Sequence, residues 1–346
     1  MVLNVTATNP TSAGYLTVFP TGQSTPTASN INYTAGEAVP NLVEVGLSSL
    51  GQASIYSSAP TNVVVDLEGY VASVAGSGSG GGLYNPLSSP TRICDTRPNN
   101  PSGLSGSAAQ CNGDSLGGNS VLTVQATGVG GIPSSGVSAV VLNVTAVGPS
   151  SAGYLTVYPA GASRPTASNV NYVAGQVVPN RVVVPVSSSG QIAIYSLAPT
   201  NVLVDASGWY SASGGSGQQF QAESAPVRIC DTRPGNPSGL SGGAAQCNGN
   251  TLSGGGALSV DVAGLANVPS NATAVVLNVT AVGPSQPTYL TVYPSGFRPV
   301  VSDLNPSAGE TEANLVVARL SPNGTIAIYN ADGTVNVVVD VLGFYP

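Results

Sequence analysis

The stretch Val141-Leu142-Asn143-Val144-Thr145-Ala146 indicates the fold class of this chain. Apolar and polar side chains alternate along it, and a period of two places them on opposite faces of a β-strand. A second stretch, Tyr154-Leu155-Thr156-Val157-Tyr158, repeats the alternation, with its leucine and valine directed at the core. Short runs of this kind, bounded by Pro, Gly, Ser and Asn, are typical of all-β sandwiches and barrels.

Both stretches occur three times, each time followed by an ending of the form Val-Asp-x-x-Gly-aromatic. The first stretch starts at Val2, Val141 and Val276, and the ending closes at Tyr70, Trp209 and Phe344. The starting points are 139 and 135 residues apart, and a repeat of this length is too long to be a single propeller blade. We therefore predict an all-β fold of tandem β-sandwich domains, with about eight strands in each complete domain and Greek-key or jelly-roll connections.

A block containing two cysteines precedes the strand block in two of the three copies. Where a Val-Asp ending is followed by such a block, a Gly/Ser-rich segment lies between the two. We interpret these segments as linkers. The predicted boundaries are 1–71 for an incomplete first repeat, 72–82 for a linker, 83–210 for a complete sandwich, 211–217 for a second linker and 218–346 for a second complete sandwich.

The four cysteines fall into two pairs with the same separation, Cys94 with Cys111 and Cys230 with Cys247. Buried thiols or a metal site are the alternatives to disulfides. Metal sites built on sulfur usually show closely spaced cysteines or histidines, and this chain has neither. We expect one disulfide in each complete copy, and hence an oxidising compartment.

The charge pattern excludes several classes of partner. Charged residues make up only 7% of the chain, the net charge is −7, and all eight basic residues are arginines. A chain without lysine lacks the distributed basic surface that phosphate backbones require, so nucleic acid is not an expected partner. No apolar run approaches the length of a membrane helix, so membrane insertion is not expected either.

The recurring motifs, taken together, resemble a known family. Arg-x-x-Asp-Thr-Arg, Leu-Asn-Val-Thr-Ala, Gly-Tyr-Leu-Thr-Val-Tyr-Pro, the Ser-Asn-x-Asn strand and Val-Asp-x-x-Gly-Tyr are similar to a repeat domain of secreted and cell-wall-associated proteins of actinobacteria and some neighbouring phyla. The resemblance covers essentially the whole chain. It implies an accessory module, found beside hydrolase or peptidase domains or in long arrays, and it brings no assigned catalytic or binding residues. This chain departs from the pattern in having no attached enzyme domain and an incomplete first copy.

Catalysis is not expected from this composition. The chain has no histidine and no lysine, so the usual general bases reduce to carboxylates. Asp66, Asp205 and Asp340 recur at one position shortly before a glycine, where an aspartate typically caps its own turn backbone. No second carboxylate recurs beside them to form a glycosidase pair. We predict no catalytic residue, no metal and no cofactor.

Half of the arginines lie in a motif that occurs once in each complete copy. Its charged members are Arg92, Asp95, Arg97, Arg228, Asp231 and Arg233. Guanidinium groups bind carboxylates bidentately, so one interpretation is a clamp for an anion or a glycan carboxylate. The interpretation that we favour is an internal Arg–Asp pair that ties the cysteine block to the sandwich, because half of the positive charge is matched locally.

Aromatic side chains four positions apart on one strand, and therefore on the same face, define a second candidate site. Its members are Tyr15, Phe19, Tyr154, Tyr158, Tyr289 and Tyr293. Flat aromatic rings on a β-face stack on sugar rings, which makes these residues a possible glycan-stacking face. The alternative is that strands favour tyrosine on half-buried faces without any ligand.

These observations predict a structural or adhesive repeat protein that is extracellular or attached to the cell surface. The incomplete first copy should expose a sheet edge, and unpaired edges accept strands. The expected partner is therefore the chain itself, by head-to-tail or lateral self-association into a filament or array. The alternative function is a lectin-like, carbohydrate-binding module that binds cell-wall or environmental glycans through the tyrosine face.

Overall fold

The structure is a computed structural model that describes residues 1–71, 82–212 and 216–346. It is an all-β fold of tandem β-sandwiches, as the alternation in the sequence predicts. Residues 72–81 of the first predicted linker and residues 213–215 of the second lie outside the described residues.

The first copy consists of six strands in two three-stranded sheets. They are β1 (Val2–Thr8), β2 (Gly14–Pro20), β3 (Ile31–Tyr33), β4 (Ala38–Glu44), β5 (Ala53–Ser57) and β6 (Asn62–Gly69). The strand orders are β4-β1-β6 and β3-β2-β5, so β5 and β6 each lie at a sheet edge.

The second copy has eight described strands in two four-stranded sheets. They are β7 (Tyr84–Asp95), β8 (Ser120–Gln125), β9 (Val137–Val147), β10 (Gly153–Pro159), β11 (Val170–Tyr172), β12 (Val177–Pro185), β13 (Gln191–Ser196) and β14 (Asn201–Ser211). The orders are β12-β9-β14-β7 and β11-β10-β13-β8. The strands β7 and β8 belong to the cysteine block, which we define as residues 83–136, and they add one strand to each sheet.

The third copy has a similar arrangement, also with eight described strands, but it has a short additional strand and no strand equivalent to β11. They are β15 (Gln221–Asp231), β16 (Leu252–Ser253), β17 (Ala257–Asp261), β18 (Ala274–Val282), β19 (Leu290–Tyr293), β20 (Thr311–Arg319), β21 (Thr325–Asn330) and β22 (Thr334–Tyr345). The orders are β15-β22-β18-β20 and β17-β21-β19, and β16 pairs with β22. The predicted number of strands is confirmed for both complete copies.

The core of each complete copy lies between its two sheets. In the second copy, Leu142 and Val144 of β9 are fully buried together with Leu155 of β10, as their alternation predicts. The cysteine block supplies a large share of this core, including Ile93 and Val124. The complete copies therefore bury apolar side chains from both blocks in one cluster, which is the main source of their stability.

The cysteines form disulfides Cys94–Cys111 and Cys230–Cys247, one in each complete copy, as predicted. All four cysteines are buried in the cores. Each bridge closes the loop between the end of one strand and a short 3₁₀ turn, at Gly106–Ala109 and Gly242–Ala245 respectively. In the chain-entropy model a loop of this length stabilises the fold by about 3 kcal/mol.

The chain divides into two compact units. One comprises residues 1–67, 220–298 and 302–346, so the first and third copies belong to the same unit. The other comprises residues 68–219 and 299–301, chiefly the second copy. The boundary falls within β6. Within the first unit, β3 and β4 of the first copy pack against β20 of the third copy.

Across the part of the chain that the structure describes, no helix combines the length and the hydropathy needed to cross a membrane.

Candidate functional site

The first arginine of the recurring motif makes a buried ion pair with the strand block. Arg92 lies on β7 and donates from Nε to Asp205 Oδ1 at 2.7 Å and from Nη2 to Asp205 Oδ2 at 2.9 Å. Both side chains are almost fully buried. The pairing of β7 with β14 places Arg92 directly opposite Asp205. This bidentate contact is the one expected of an internal pair that ties the two blocks together.

The remaining residues of the motif are also engaged internally. Arg97 donates from Nε and Nη2 to Asp95, at 3.0 and 2.8 Å, and Ser102 donates to the same carboxylate. Burial alone would raise the pKa of Asp95, but the hydrogen bonds from Arg97 and Ser102 outweigh it and hold the pKa below its ordinary value. Thr96 accepts a hydrogen bond from the backbone N–H of Val202 at 2.7 Å. The motif therefore acts as a clasp between blocks.

The third copy contains the same clasp. Arg228 donates from Nε to Asp340 Oδ1 at 2.8 Å, and Arg233 donates from Nη2 to Asp231 Oδ2 at 2.7 Å. Burial raises the pKa of Asp340, although the guanidinium of Arg228 opposes the shift. In Asp231 the hydrogen bonds from Arg233 and Ser238 outweigh the effect of burial, and the pKa is lowered.

The prediction that the recurring aspartates cap their own turns is wrong for Asp205 and Asp340. Both lie inside long strands, β14 and β22, and both bind the arginine of the neighbouring strand. The glycine that follows each aspartate suggests a turn, but in the second copy this glycine, Gly208, lies within β14 and has a different role. A Cβ at Gly208 would stand 2.6 Å from Cζ of Tyr84, so the glycine makes room for an aromatic ring of the cysteine block.

The first copy lacks this clasp. Its aspartate at the same position, Asp66, has no ion pair or hydrogen bond within the described ranges. Residues 1–71 contain no arginine and no lysine. Burial nevertheless raises the pKa of Asp66 above its ordinary value. Asp66 is therefore a partly buried carboxylate with no counter-charge in its own copy.

Apolar side chains around Asp66 are exposed where the complete copies bury them. We use the term open face for the exposed edge of the first copy formed by β5 and β6, with Ile55, Val63, Val65 and Leu67 on the core side and Asp66 on the other side of β6. Val63 is 38% exposed, Val65 is 45% exposed and Ile55 is 39% exposed. Their counterparts in the second copy, Val202, Val204 and Ile194, are 0% exposed. Monomeric soluble proteins rarely leave such side chains clustered in water, and patches of this kind mark interaction sites.

The predicted tyrosine face is only partly available. Phe19, Tyr158 and Tyr293 are buried, so the stacking site expected from these residues is not presented to solvent. Alternation places all three on the side of the sheet opposite the core, yet each is buried. Tyr158, for example, clusters with Tyr195 of β13. The other three predicted residues form cross-strand ring pairs, Tyr15–Tyr56, Tyr154–Tyr195 and Tyr289–Tyr329, with ring centroids 5.9, 5.9 and 6.1 Å apart.

Arginine covers the ring pair in the two complete copies. Arg164 Cζ lies 3.7 Å from the ring centroid of Tyr195, and Arg298 Cζ lies 4.0 Å from that of Tyr329, both cation–π contacts. In the first copy the loop after β2 contains no arginine. Tyr15 is 36% exposed and Tyr56 is 39% exposed. This pair is therefore the one most open to a flat ligand.

One buried polar contact of the first unit joins residues that no sequence motif relates to each other. Asn41 Nδ2 donates to Asn278 Oδ1 at 3.0 Å, and the backbone N–H of Leu315 donates to Asn41 Oδ1 at 3.0 Å. These buried hydrogen bonds join the first copy to the third. Asparagine recurs on the polar side of the corresponding strands in each copy. The sequence around Asn41 does not indicate which surface this side chain contacts.

Over residues 1–71, 82–212 and 216–346, no three His, Cys, Asp or Glu side chains are grouped so that they could hold a metal ion.

Comparison with family models and with curated proteins gives no match. Among solved structures, the chain aligns with a protein from a study titled "The Triple Jelly Roll Fold and Turret Assembly in an Archaeal Virus". The identity is 10%, the TM-score is 0.16, and the alignment covers 99% of this chain and 78% of that one. At this TM-score the likeness supports no inference about this chain.

Proposed function

We propose that this chain is an extracellular structural or adhesive repeat protein, of the kind that the secreted actinobacterial repeat domain represents. The observation that carries the proposal is the internal clasp. In both complete copies, each charged side chain of the recurring motif binds another side chain of the same copy. Groups that an enzyme would present to a substrate are used here to hold two blocks together.

The disulfides support an extracellular location. Disulfides persist in oxidising environments and are rare in the cytosol, where thiols are kept reduced. Two buried bridges in a chain with so few charges are suited to a durable module outside the cell. The open face of the first copy is the surface at which we propose that a neighbouring chain docks, which would join subunits into a surface filament or array.

Fractionation of the producing cells tests this proposal. The protein is expected in the medium or at the surface, where protease added to intact cells reaches it. Its four cysteines should react with a thiol reagent only after reduction. A protein that stays inside the cell with free thiols would contradict the proposal.

A second candidate function is glycan binding, and the uncovered Tyr15–Tyr56 pair favours it. Tilted aromatic rings that are partly exposed offer a surface on which a sugar ring can stack. A glycan array with the wild-type chain and Tyr56→Ala tests this candidate, with Tyr195→Ala as the matched control. Specific binding that is lost in Tyr56→Ala and kept in Tyr195→Ala would support it. Binding to no glycan would end it.

A further inference from the structure

We infer that the Tyr15–Tyr56 ring pair of the first copy is a cation-binding site, and that the glycan it binds carries a protonated amino group on its sugar ring. This inference rests on the glycan-binding candidate of the proposed function and names the class of sugar. Both complete copies contain the same ring pair with a cation already in contact with it. They therefore show which chemical group the uncovered pair accepts.

In the complete copies the bound cation is a guanidinium. Arg164 Cζ lies 3.7 Å from the ring centroid of Tyr195 in the second copy. In the third copy Arg298 Cζ lies 4.0 Å from the ring centroid of Tyr329, and Arg298 Nη1 donates to Tyr289 Oη at 3.3 Å. The negative face of an aromatic ring attracts a cation at such distances. A ligand of this pair therefore needs a positive charge, and an N–H donor for the second hydroxyl.

The first copy has a threonine at the position of these arginines. Each arginine directly precedes a proline in the loop after β10 or β19, as Arg164-Pro165 and Arg298-Pro299. The loop after β2 reads Thr25-Pro26 instead, and in all three copies the proline stands three positions before a serine. Thr25 is exposed and uncharged. The first copy therefore lacks the cation that its own loop would supply in the other two.

The three loops are fixed to their sheets in the same way. The backbone N–H of Val18 donates to Asn30 Oδ1 at 2.6 Å, and that of Val157 donates to Asn169 Oδ1 at 2.7 Å. In the third copy Asp303 accepts the corresponding bond. Because these bonds anchor the end of each loop, the side chain before the proline starts from an equivalent place. The difference between the copies is thus the side chain and not the path of the loop.

The ring pair and the open face can be occupied at the same time. In the second copy β13 pairs with β8 along its edge while Tyr195 of the same strand contacts Arg164. In the first copy Tyr56 and Ile55 are neighbours on β5 and point to opposite sides of the sheet. A chain that docks along the edge of β5 therefore does not compete with a cation on the rings.

The charge of the first copy favours a cationic ligand. This copy contains four carboxylates and no basic side chain. Burial raises the pKa of Tyr15, and Arg228 of the third copy opposes the shift, but this guanidinium is bound to Asp340. In the part of the chain that the structure describes, no guanidinium lies over Tyr15 or Tyr56. The ring faces are therefore available to a cation from outside the chain.

An amino sugar with a free amine combines the two features of the site. The C–H groups of its ring pack on an aromatic ring, and its ammonium group supplies the charge that the ring face attracts. The ammonium has three N–H donors, so one of them can bond to a tyrosine hydroxyl as Arg298 does. A neutral sugar offers stacking alone. An acidic sugar is disfavoured by the ring faces and by the carboxylates of the first copy.

Calorimetric titration of the full chain with two matched oligosaccharides tests the inference. The first probe is a glucosamine tetramer with free amines, and the second is its fully N-acetylated form, which keeps the sugar rings and removes the charge. We expect one amine-bearing tetramer to bind per chain, with an affinity about tenfold higher than that of the acetylated form.

Three variants assign the binding to the ring pair. Thr25→Arg places an arginine where the complete copies have one, so it should weaken binding of the amine-bearing probe by about tenfold. Ser49→Arg is the matched control, because it adds the same charge to an exposed loop before β5 and should leave the affinity nearly unchanged. Arg164→Thr uncovers the ring pair of the second copy and should raise the number of bound tetramers from one to two. Misfolding of a variant cannot produce this gain.

Four results would overturn the inference. Equal affinity for the two tetramers would overturn it and leave the glycan-binding candidate standing. Equal weakening by Thr25→Arg and Ser49→Arg would show an effect of overall charge alone. An unchanged number of bound tetramers in Arg164→Thr would show that the ring pair is not the site. Binding of neither tetramer, together with a glycan array on which nothing binds, would end the glycan-binding candidate as well and leave the proposed structural role intact.

Discussion

Arg92 and Asp205 lie 113 positions apart in the sequence and form a buried ion pair, with two hydrogen bonds of 2.7 and 2.9 Å. The pair joins the cysteine block to the strand block of the second copy. In the first copy, Asp66 stands at the position of Asp205 and has no arginine partner among the residues that the structure describes. The same chain therefore contains a filled and an unfilled form of one site, which makes matched experiments possible.

Removing the charge of Asp205 should lower the free energy of unfolding of the second copy. Asp205→Asn leaves Arg92 buried without its counter-charge, and breaking a buried pair costs about 3–5 kcal/mol. Asp66→Asn removes a carboxylate that has no ion pair within the described ranges and whose pKa is raised by burial, so at neutral pH it should change stability by less than about 0.5 kcal/mol. Urea denaturation measures both. Equal losses for the two variants would mean that the pair does not hold the second copy together.

The glycine of the Val-Asp-x-x-Gly ending provides a second matched pair. In Gly208→Ala the new Cβ would stand 2.6 Å from two ring atoms of Tyr84, a residue that is buried and packs against the tilted ring of Tyr210. Overpacking of this kind costs about 1–3 kcal/mol. Gly69→Ala meets nothing within 4 Å and should leave the thermal midpoint nearly unchanged. A large fall in the thermal midpoint of Gly69→Ala would show that another group already packs against β6 at this glycine.

Reduction of the disulfides should destabilise the complete copies without unfolding the first copy directly. Each bridge closes a loop of the length for which the chain-entropy model gives about 3 kcal/mol. The variant Cys94→Ala/Cys111→Ala should therefore lower the stability of the second copy by this amount. Denaturation under oxidising and reducing conditions checks the effect. A variant that is as stable as the wild type would show that the buried core alone suffices.

Acid should weaken the clasp through Asp95 and Asp231. The folded pKa of each is lowered, since hydrogen bonds from the neighbouring arginine and serine outweigh burial. Their contribution to stability is therefore fully present above the unfolded pKa of about 3.9 and is lost as the pH falls through the folded value. The difference in unfolding free energy between wild type and Asp95→Asn should shrink below about pH 4. A constant difference from pH 7 to pH 3 would contradict this assignment.

The sequence predicts the sandwich and its disulfides because both follow from local patterns. The alternation around Leu142 and the equal spacing of the cysteines each involve residues that are near in the chain. Strand order is not local. The Arg–Asp pair was expected, but its partner Asp205 could not be identified, because only the pairing of β7 with β14 brings the two together. The burial of the tyrosines on the side opposite the core likewise depends on strand pairing and cannot be predicted from local sequence.

Tyr158 shows that limit in detail. Alternation correctly places it opposite the core, yet it is buried, because Tyr195 of the next strand lies beside it. The contact between Asn41 and Asn278 likewise joins strands of two different copies. The sequence does predict, in contrast, that the first copy has an exposed edge, because the strand block occurs three times and the cysteine block only twice. The expected exposed edge is present at β5 and β6.

Amide hydrogen exchange of the unmodified chain at low concentration distinguishes a copy that is open along β6 from the two closed, clasped copies. The outward amides of β6, between Val63 and Leu67, should exchange far faster than the matching amides of β14, between Val202 and Ala206. Protection of β6 equal to that of β14 would contradict the account.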